Sequence, residues 1–114
     1  MKDEKVYLQY ILECIQKIEE DIACGREAFI SSHLYQDAVL RNLHTLTEST
    51  QRISENLKKE HPEVEWKSIA AFRNVLVHDY LGIDIDRIWH TASQDIPELK
   101  KSIQKMLEQI DKEF

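Results

Sequence analysis

The sequence contains few of the residues that bend, break or cross-link a chain: its 114 residues include only two glycines, two prolines and two cysteines. Glycine and proline at this level exclude collagen-like and low-complexity chains. No segment alternates apolar and polar residues with a period of two, so the sequence predicts no β-sheet. Cys14 and Cys24 would lie roughly 15 Å apart along one helix, too far for a disulfide, and we expect both to be reduced packing residues.

Features that would mark several other classes of protein are also missing. No apolar run is long enough to span a bilayer and the charged N-terminus resembles no signal peptide, so we expect a cytoplasmic protein without membrane contact. No glycine-rich phosphate loop is present, so the chain is not expected to bind ATP as an enzyme. No pair among the five histidines has the spacing of a zinc helix, and we predict no metal and no cofactor.

The charge and the apolar content of the chain indicate which class of protein it belongs to. Hydrophobic residues make up 42% of the chain and charged residues 32%, which is typical of a helix-rich globular protein, and we expect one domain over residues 1–114. The net charge of −6 means that any RNA would have to be bound through local clusters of arginine and lysine.

Apolar residues recur at three- and four-residue steps through most of the chain, which predicts an all-α antiparallel bundle of about four to five helices. Gly25 is placed to end the first helix, Asp84 to cap a short one, and Asp95 to begin the last one through a capping box. The predicted helices span residues 3–24, a short turn or helix at 26–31, then residues 32–61, 62–78, 84–89 and 95–110.

Residues 73–80 concentrate polar groups of complementary chemistry at the end of a predicted helix. Arg73 is a permanent fork of donors suited to phosphate, and His78 is the side-chain type that titrates nearest neutral pH. Asn74 lies four residues before His78 and could orient the imidazole, and we assign Asn74 and Asp79 supporting roles. On an ideal helix Arg73 and His78 are about 140° apart, so a shared phosphate needs a bent backbone or a second subunit.

This motif has two interpretations. In the functional one His78 moves a proton and Arg73 stabilises phosphate charge while a ribose 2′-hydroxyl attacks the adjacent phosphorus, without a metal. In the structural one Arg73 forms an ion pair, His78 caps a helix and Tyr80 lies at the edge of the core. The spacing alone favours the structural interpretation, because such spacings are common by chance, whereas the apolar helix around the motif favours the functional one.

Five segments with recognisable patterns follow one another along the chain. They are residues 36–41, a glutamate-containing stretch up to Leu57, Pro62-x-Val64-x-Trp66-x-x-Ile69, residues 73–80 with the pattern Arg-x4-His-x-Tyr, and Trp89 followed by residues 95–99. In this order they resemble the HepT group of HEPN-domain toxins over nearly the whole chain.

The resemblance implies a HEPN helical bundle that forms a homodimer around the Arg-x4-His motif and acts as a ribonuclease toxin on tRNA or mRNA. Carried over to this sequence, it makes Arg73 and His78 catalytic. It also implies a cognate antitoxin, an MntA-like nucleotidyltransferase, that transfers AMP from ATP to Tyr80. Such a modification would add negative charge and bulk beside Arg73 and would thereby compete with RNA.

Asp37 and Arg41 form an i,i+4 pair of opposite charge on the predicted second helix. We interpret them as a solvated or interface salt bridge that braces the motif or the dimer. The alternative function is a non-catalytic helical adaptor that presents its tyrosine to a nucleotidyltransferase. The two functions differ at His78, because only a ribonuclease should lose activity when His78 is replaced by Ala.

Overall fold

The computed structural model describes residues 2–78 and 82–112, and in this part of the chain all regular secondary structure is helical. The predicted all-α class is therefore confirmed. The helices are α1 (Lys2–Ile22), α2 (Arg26–Ser31), α3 (His33–Thr50), α4 (Glu55–Glu60), α5 (Trp66–His78), α6 (Ile85–His90) and α7 (Ile96–Lys112), with a π-helical segment (Thr91–Asp95) between α6 and α7. None of these helices has the length and apolar character needed to cross a membrane.

The core lies between α1, α3 and α7, whose apolar stripes face one another. Ile15 is fully buried, and burial of a side chain of this size stabilises the fold by about 1.5–3 kcal/mol relative to leaving it exposed. The other fully buried aliphatic residues and methionine of these three helices are Leu8, Ile11, Ile18, Val39, Leu43, Leu46, Ile103 and Met106.

Polar contacts between helix ends show that neighbouring long helices run antiparallel. A Glu4 carboxylate oxygen near the start of α1 accepts a hydrogen bond from the backbone N–H of Ser54, just beyond α3, at 2.7 Å. Lys5 pairs with Asp111 at the end of α7, with 2.7 Å between Nζ and Oδ1. The fifth helix, α5, packs against α3.

The second long helix ends at Thr50, so its predicted extension to residue 61 is wrong. Ser54 begins a separate helix, because its hydroxyl oxygen accepts a hydrogen bond from the backbone N–H of Leu57 at 3.1 Å. The last turn of α3 is also rich in hydroxyl groups, and those of Thr47 and Thr50 donate to helix carbonyls three residues earlier. Such bonds offer the backbone alternatives to a continued helix.

The third long helix begins at Trp66, whereas the sequence predicted a start at Pro62. The intervening residues form a turn that the Trp66 indole fastens, since its Nε1–H donates to the carbonyl oxygen of His61 at 3.0 Å. His61 is itself buried, and its Nε2 lies 2.9 Å from Oε1 of Gln109 on α7. The turn therefore joins the start of α5 to the end of α7.

The prediction that Asp95 caps a new helix is also wrong, because the chain remains helical from α6 through the π-helical segment into α7. Pro97 lacks an N–H and its ring crowds the carbonyl four residues earlier in a regular helix. The wider turn of a π-helix directly before Pro97 relieves this conflict without ending the helix. The predicted cap at Asp84 is confirmed, since Oδ1 accepts a hydrogen bond from the backbone N–H of Asp86 at 3.0 Å.

Gly25 lies just after the first helix, as predicted, with a φ of 93° that favours glycine, and its N–H donates to the carbonyl oxygen of Ile22. Both cysteines are free. Cys14 belongs to the core, but Cys24 is exposed, so the expectation that Cys24 is a packing residue is wrong.

Candidate functional site

The backbone of α5 stays helical as far as His78, which settles how the two principal residues of the motif are presented. Over five residues a helix rises about 7.5 Å and turns about 140° beyond one full circle. Arg73 and His78 therefore leave α5 in different directions, and the bent backbone that would bring them together within one chain is not found between Trp66 and His78.

Arg73 is half-buried between α5 and α3, with 30% of its side chain exposed. Its Nε–H donates to a carboxylate oxygen of Glu48 on α3, and its Nη1 donates to Oδ1 of Asn74 at 3.1 Å. The guanidinium group thus has one partner on each helix. The ion pair is the contact that the structural interpretation of the motif expects for Arg73.

Asn74 contacts Arg73 instead of bracing the imidazole, because its side-chain oxygen accepts the hydrogen bond from Nη1 of Arg73. No hydrogen bond joins Asn74 to His78, both of which the structure describes. His78 is exposed at the last position of α5. An exposed imidazole at the end of a helix can reach a ligand in solution or on another molecule.

Asp79 and Tyr80 lie outside the described residues, so their supporting and AMP-accepting roles stay predictions. Gly82, the nearest described residue beyond them, and His78 bracket the segment that carries both. In the sequence Tyr80 follows His78, the last residue of α5, by two positions.

Asp37 and Arg41 lie on α3 directly across from the C-terminal half of α5. Together with His44 they line a cavity of about 350 Å³ whose other walls are Leu40, Leu76 and Val77. Both charged residues are exposed, and no ion pair joins them within the described chain. The structure therefore places this predicted bracing pair beside the motif, on the same side of the molecule.

Glu48 is the residue of this site that the sequence did not single out. It lies 25 residues before Arg73, on another helix, and only the packing of α5 against α3 brings the two together. Its one signal in the sequence is membership of the glutamate-containing stretch. Nothing in a single sequence distinguishes it there from the other acidic residues of a helical surface.

A larger cavity, of about 510 Å³, lies between α3, α5 and the helical run from α6 to α7. Arg87 there lies over the Phe72 ring, with Cζ 5.3 Å from the ring centroid. Neither Arg73 nor His78 lines this cavity. Among the residues that the structure describes, no group of three or more histidine, cysteine or acidic side chains could hold a metal ion.

Fold and site together define an all-helical bundle that presents an Arg-x4-His motif from one surface helix, with the arginine held by a glutamate of the neighbouring helix. The family model described as Ribonuclease HepT-like matches residues 11–106. The chain belongs to the HepT-like ribonuclease family.

Known proteins that are similar to the chain agree with this assignment. The chain is 36% identical over 107 residues to "Probable ribonuclease HepT" of Thermococcus cleftensis, an alignment that covers 92% of this chain and 96% of that protein. It is 33% identical over 109 residues to "Putative RNase TTE0752" of Caldanaerobacter subterraneus subsp. tengcongensis, covering 95% and 97%. No solved structure matches the chain significantly.

A third similar protein is longer. The chain is 36% identical over 112 residues to "Gamma-glutamylcyclotransferase and putative RNase MJ0434" of Methanocaldococcus jannaschii, an alignment that covers 97% of the chain but only 50% of that protein. The chain therefore spans half the length of this relative and nearly the full length of the other two.

Proposed function

We propose that the protein is a homodimeric, metal-independent ribonuclease toxin that cleaves cellular tRNA or mRNA. Membership of the HepT-like family supports ribonuclease activity. The observation that carries the more specific proposal is the presentation of Arg73 and His78 from one regular surface helix, with Arg73 held at the α3–α5 contact.

The proposed reaction uses the RNA itself as the nucleophile. His78 of one subunit removes the proton from a ribose 2′-hydroxyl, whose oxygen then forms a bond to the adjacent phosphorus. The bond from phosphorus to the 5′-oxygen of the next nucleotide breaks, and a second general acid, His78 of the other subunit, protonates that oxygen. Arg73 binds the non-bridging phosphate oxygens, on which negative charge builds in the transition state.

The directions of the side chains support a homodimer. Because Arg73 and His78 point about 140° apart on a regular helix, one chain does not direct both at one phosphate. A twofold axis near the end of α5 would bring two histidines and two arginines to one site and would supply both an acid and a base. The pair Asp37 and Arg41, exposed beside the motif, fits the edge of such an interface.

The proposed regulator is an MntA-like nucleotidyltransferase antitoxin that transfers AMP from ATP to the hydroxyl of Tyr80. Tyr80 follows His78 by two residues in the sequence. A phosphodiester on its hydroxyl would add negative charge close to the group that binds substrate phosphate. Modification would therefore inhibit cleavage through both repulsion and bulk.

The test is to induce wild type, Arg73→Ala and His78→Ala in cells and to map the ends of total RNA. We expect growth arrest and new RNA ends with wild type alone, because general acid–base catalysis by a histidine contributes about 10²–10⁴-fold in rate. Expression and thermal unfolding of each purified variant provide the control for folding. If all three proteins accumulate unmodified and leave RNA intact, the catalytic proposal is wrong.

The ion pair between Arg73 and Glu48 favours one alternative, a non-catalytic adaptor that presents Tyr80 to a nucleotidyltransferase. In that case Arg73 would hold α5 against α3 and would have no role toward RNA. The same experiment separates the two functions, because an adaptor keeps its partner but produces no new RNA ends.

A further inference from the structure

The contact between Glu48 and Arg73 points to a function for Glu48, and this inference rests on the proposed ribonuclease activity. Glu48 lies on α3, the helix against which α5 packs. Its carboxylate accepts a hydrogen bond from the Nε–H of Arg73, while the side-chain oxygen of Asn74 accepts one from Nη1. Both side chains of the ion pair are about one-third exposed, at 30% for Arg73 and 36% for Glu48.

The donors that Glu48 leaves unused determine what Arg73 can bind. A guanidinium group has five N–H donors in a rigid plane, of which Glu48 and Asn74 occupy two, so three remain on the terminal nitrogens. Two anchored donors fix the plane and therefore the direction of the other three. A phosphate can then be bound end-on, by Nη1 and Nη2, without displacing the carboxylate.

The exposure of this ion pair argues against a purely structural role. Ion pairs that water reaches contribute little to stability, because solvent screens them and the long side chains lose rotamer freedom. The same contact has a larger consequence for a binding group, since an arginine without it would sample many directions at the surface. Placement of a catalytic group to within about 1 Å can change a rate by about 10²-fold.

We propose that Glu48 is a positioning residue of the ribonuclease site: it orients the guanidinium of Arg73 so that the terminal nitrogens face the substrate phosphate. Glu48 itself does not contact the reacting atoms. Its influence therefore belongs to the transition state, in which the phosphate oxygens gain charge, more than to the binding of RNA in the ground state.

The experiment compares Glu48→Ala and Glu48→Gln with wild type on a synthetic RNA that carries the cleavage site mapped in induced cells. We expect Glu48→Ala to lower kcat by about 10- to 100-fold with KM changed by less than about threefold, since orientation is lost but the arginine remains. Glu48→Gln keeps an oxygen acceptor for the Nε–H and should retain more of the activity. The NMR signal of the Arg73 Nε–H should shift in Glu48→Ala and much less in Glu48→Gln.

The matched control is Glu19→Ala, which removes another partly exposed ion pair between two helices, that of Glu19 on α1 with Lys100 on α7. This variant should keep wild-type kcat. If Glu48→Ala lowers the unfolding temperature but not the kcat of the folded protein, the contact is structural and the proposal is wrong.

Two further outcomes also have a clear meaning. A fall in KM with unchanged kcat in Glu48→Ala would show that Glu48 competes with RNA for Arg73, which contradicts a positioning role. A wild-type protein that cleaves no RNA would overturn the proposed function, and the role of Glu48 with it, whereas active wild type with equally active Glu48→Ala would overturn only the latter.

Discussion

At the scale of single residues, the two cysteines occupy opposite environments and should differ in reactivity. Burial raises the pKa of the Cys14 thiol, which lies in the core, whereas Cys24 is exposed after the end of α1. Because the thiolate is the reactive species, a maleimide should label Cys24 in the native protein and Cys14 only after unfolding. Mass spectrometry of wild type and Cys24→Ser measures this, and rapid labelling of native Cys24→Ser would contradict it.

Glu63 provides a prediction about pH. A hydrogen bond to the backbone of its own residue, followed by one to the His61 side chain at 3.3 Å, lowers the pKa of the Glu63 carboxyl against the opposing effect of partial burial. A carboxyl whose pKa is lower in the folded state stabilises the fold above its unfolded pKa, and this stabilisation disappears as the pH falls through the folded pKa.

Glu63→Gln should therefore lower the free energy of unfolding at neutral pH, and this loss should shrink as the pH falls below the lowered pKa of Glu63. Urea unfolding at neutral and acid pH measures the difference. Glu65→Gln removes the same charge two residues away and is the control. A loss for Glu63→Gln that is equal at both pH values would show that the carboxylate is not involved.

Residue types predicted part of the site but not its contacts. Arg73 and His78 could be selected from the sequence because their chemistry and their position in an apolar helix coincide. The partner of Asn74 could not be predicted from the sequence, because an arginine one residue away and a histidine four residues away are both within reach on a helix. Glu48 was missed because its contact depends on tertiary packing over 25 residues of chain.

At the scale of the secondary structure elements, the cap of α6 is the clearest target for a test. The Asp84 side chain accepts a hydrogen bond from the backbone N–H of Asp86 at the start of α6. This helix has only six residues, so few intrahelical hydrogen bonds stabilise it besides the cap. Asp84→Ala should destabilise the protein by about 1 kcal/mol, or about 4 °C in Tm for a domain of this size. Asp84→Asn keeps the acceptor and should be nearly neutral, so an equal loss in both variants would exclude the cap as its cause.

Helix boundaries differed from the sequence prediction where two signals competed. Ile53 and Leu57 continue the apolar stripe of α3 and are buried, yet they belong to a turn and to α4, because Ser54 caps a new helix. Burial requires only that these side chains reach the core, and a turn can achieve this as well as a helix. At Pro97 the sequence predicted the start of a new helix, whereas the structure has a continuous one. A proline that usually marks a helix start is accommodated there by a π-helical turn.

At the scale of the whole molecule, the all-helical bundle could be predicted because periodicity, low glycine and proline content and apolar stripes all indicate it. The packing of α5 against α3 could not be predicted, although this packing forms the candidate site. This packing places Asp37 and Arg41 beside Val77, an exposed apolar residue, and the exposed Leu34 lies three residues before Asp37 on α3. A surface with both apolar and charged residues at the motif suits the self-complementary contact of the proposed homodimer.

Opposite charges one turn apart on α3 allow this interface to be tested with charge reversal. In a twofold contact between antiparallel copies of α3, Asp37 of each subunit would face Arg41 of the other. Asp37→Arg or Arg41→Asp alone would then place like charges opposite each other twice, and each variant should dissociate into monomers at a higher concentration than wild type does. Each exposed pair contributes only about 0.2–1 kcal/mol, so the shift in Kd should be modest, at about 10-fold or more for two reversed pairs.

An equimolar mixture of the two single variants should form heterodimers, because a chain with two positive charges at these positions then faces a chain with two negative ones. The double variant Asp37→Arg with Arg41→Asp should form homodimers again for the same reason. Sedimentation equilibrium measures all four samples, and RNA cleavage should follow dimer formation among them, since the proposed site takes residues from two subunits. Dimers of equal strength in every sample would place the interface elsewhere, and cleavage by a monomeric variant would show that one chain brings Arg73 and His78 to the same phosphate.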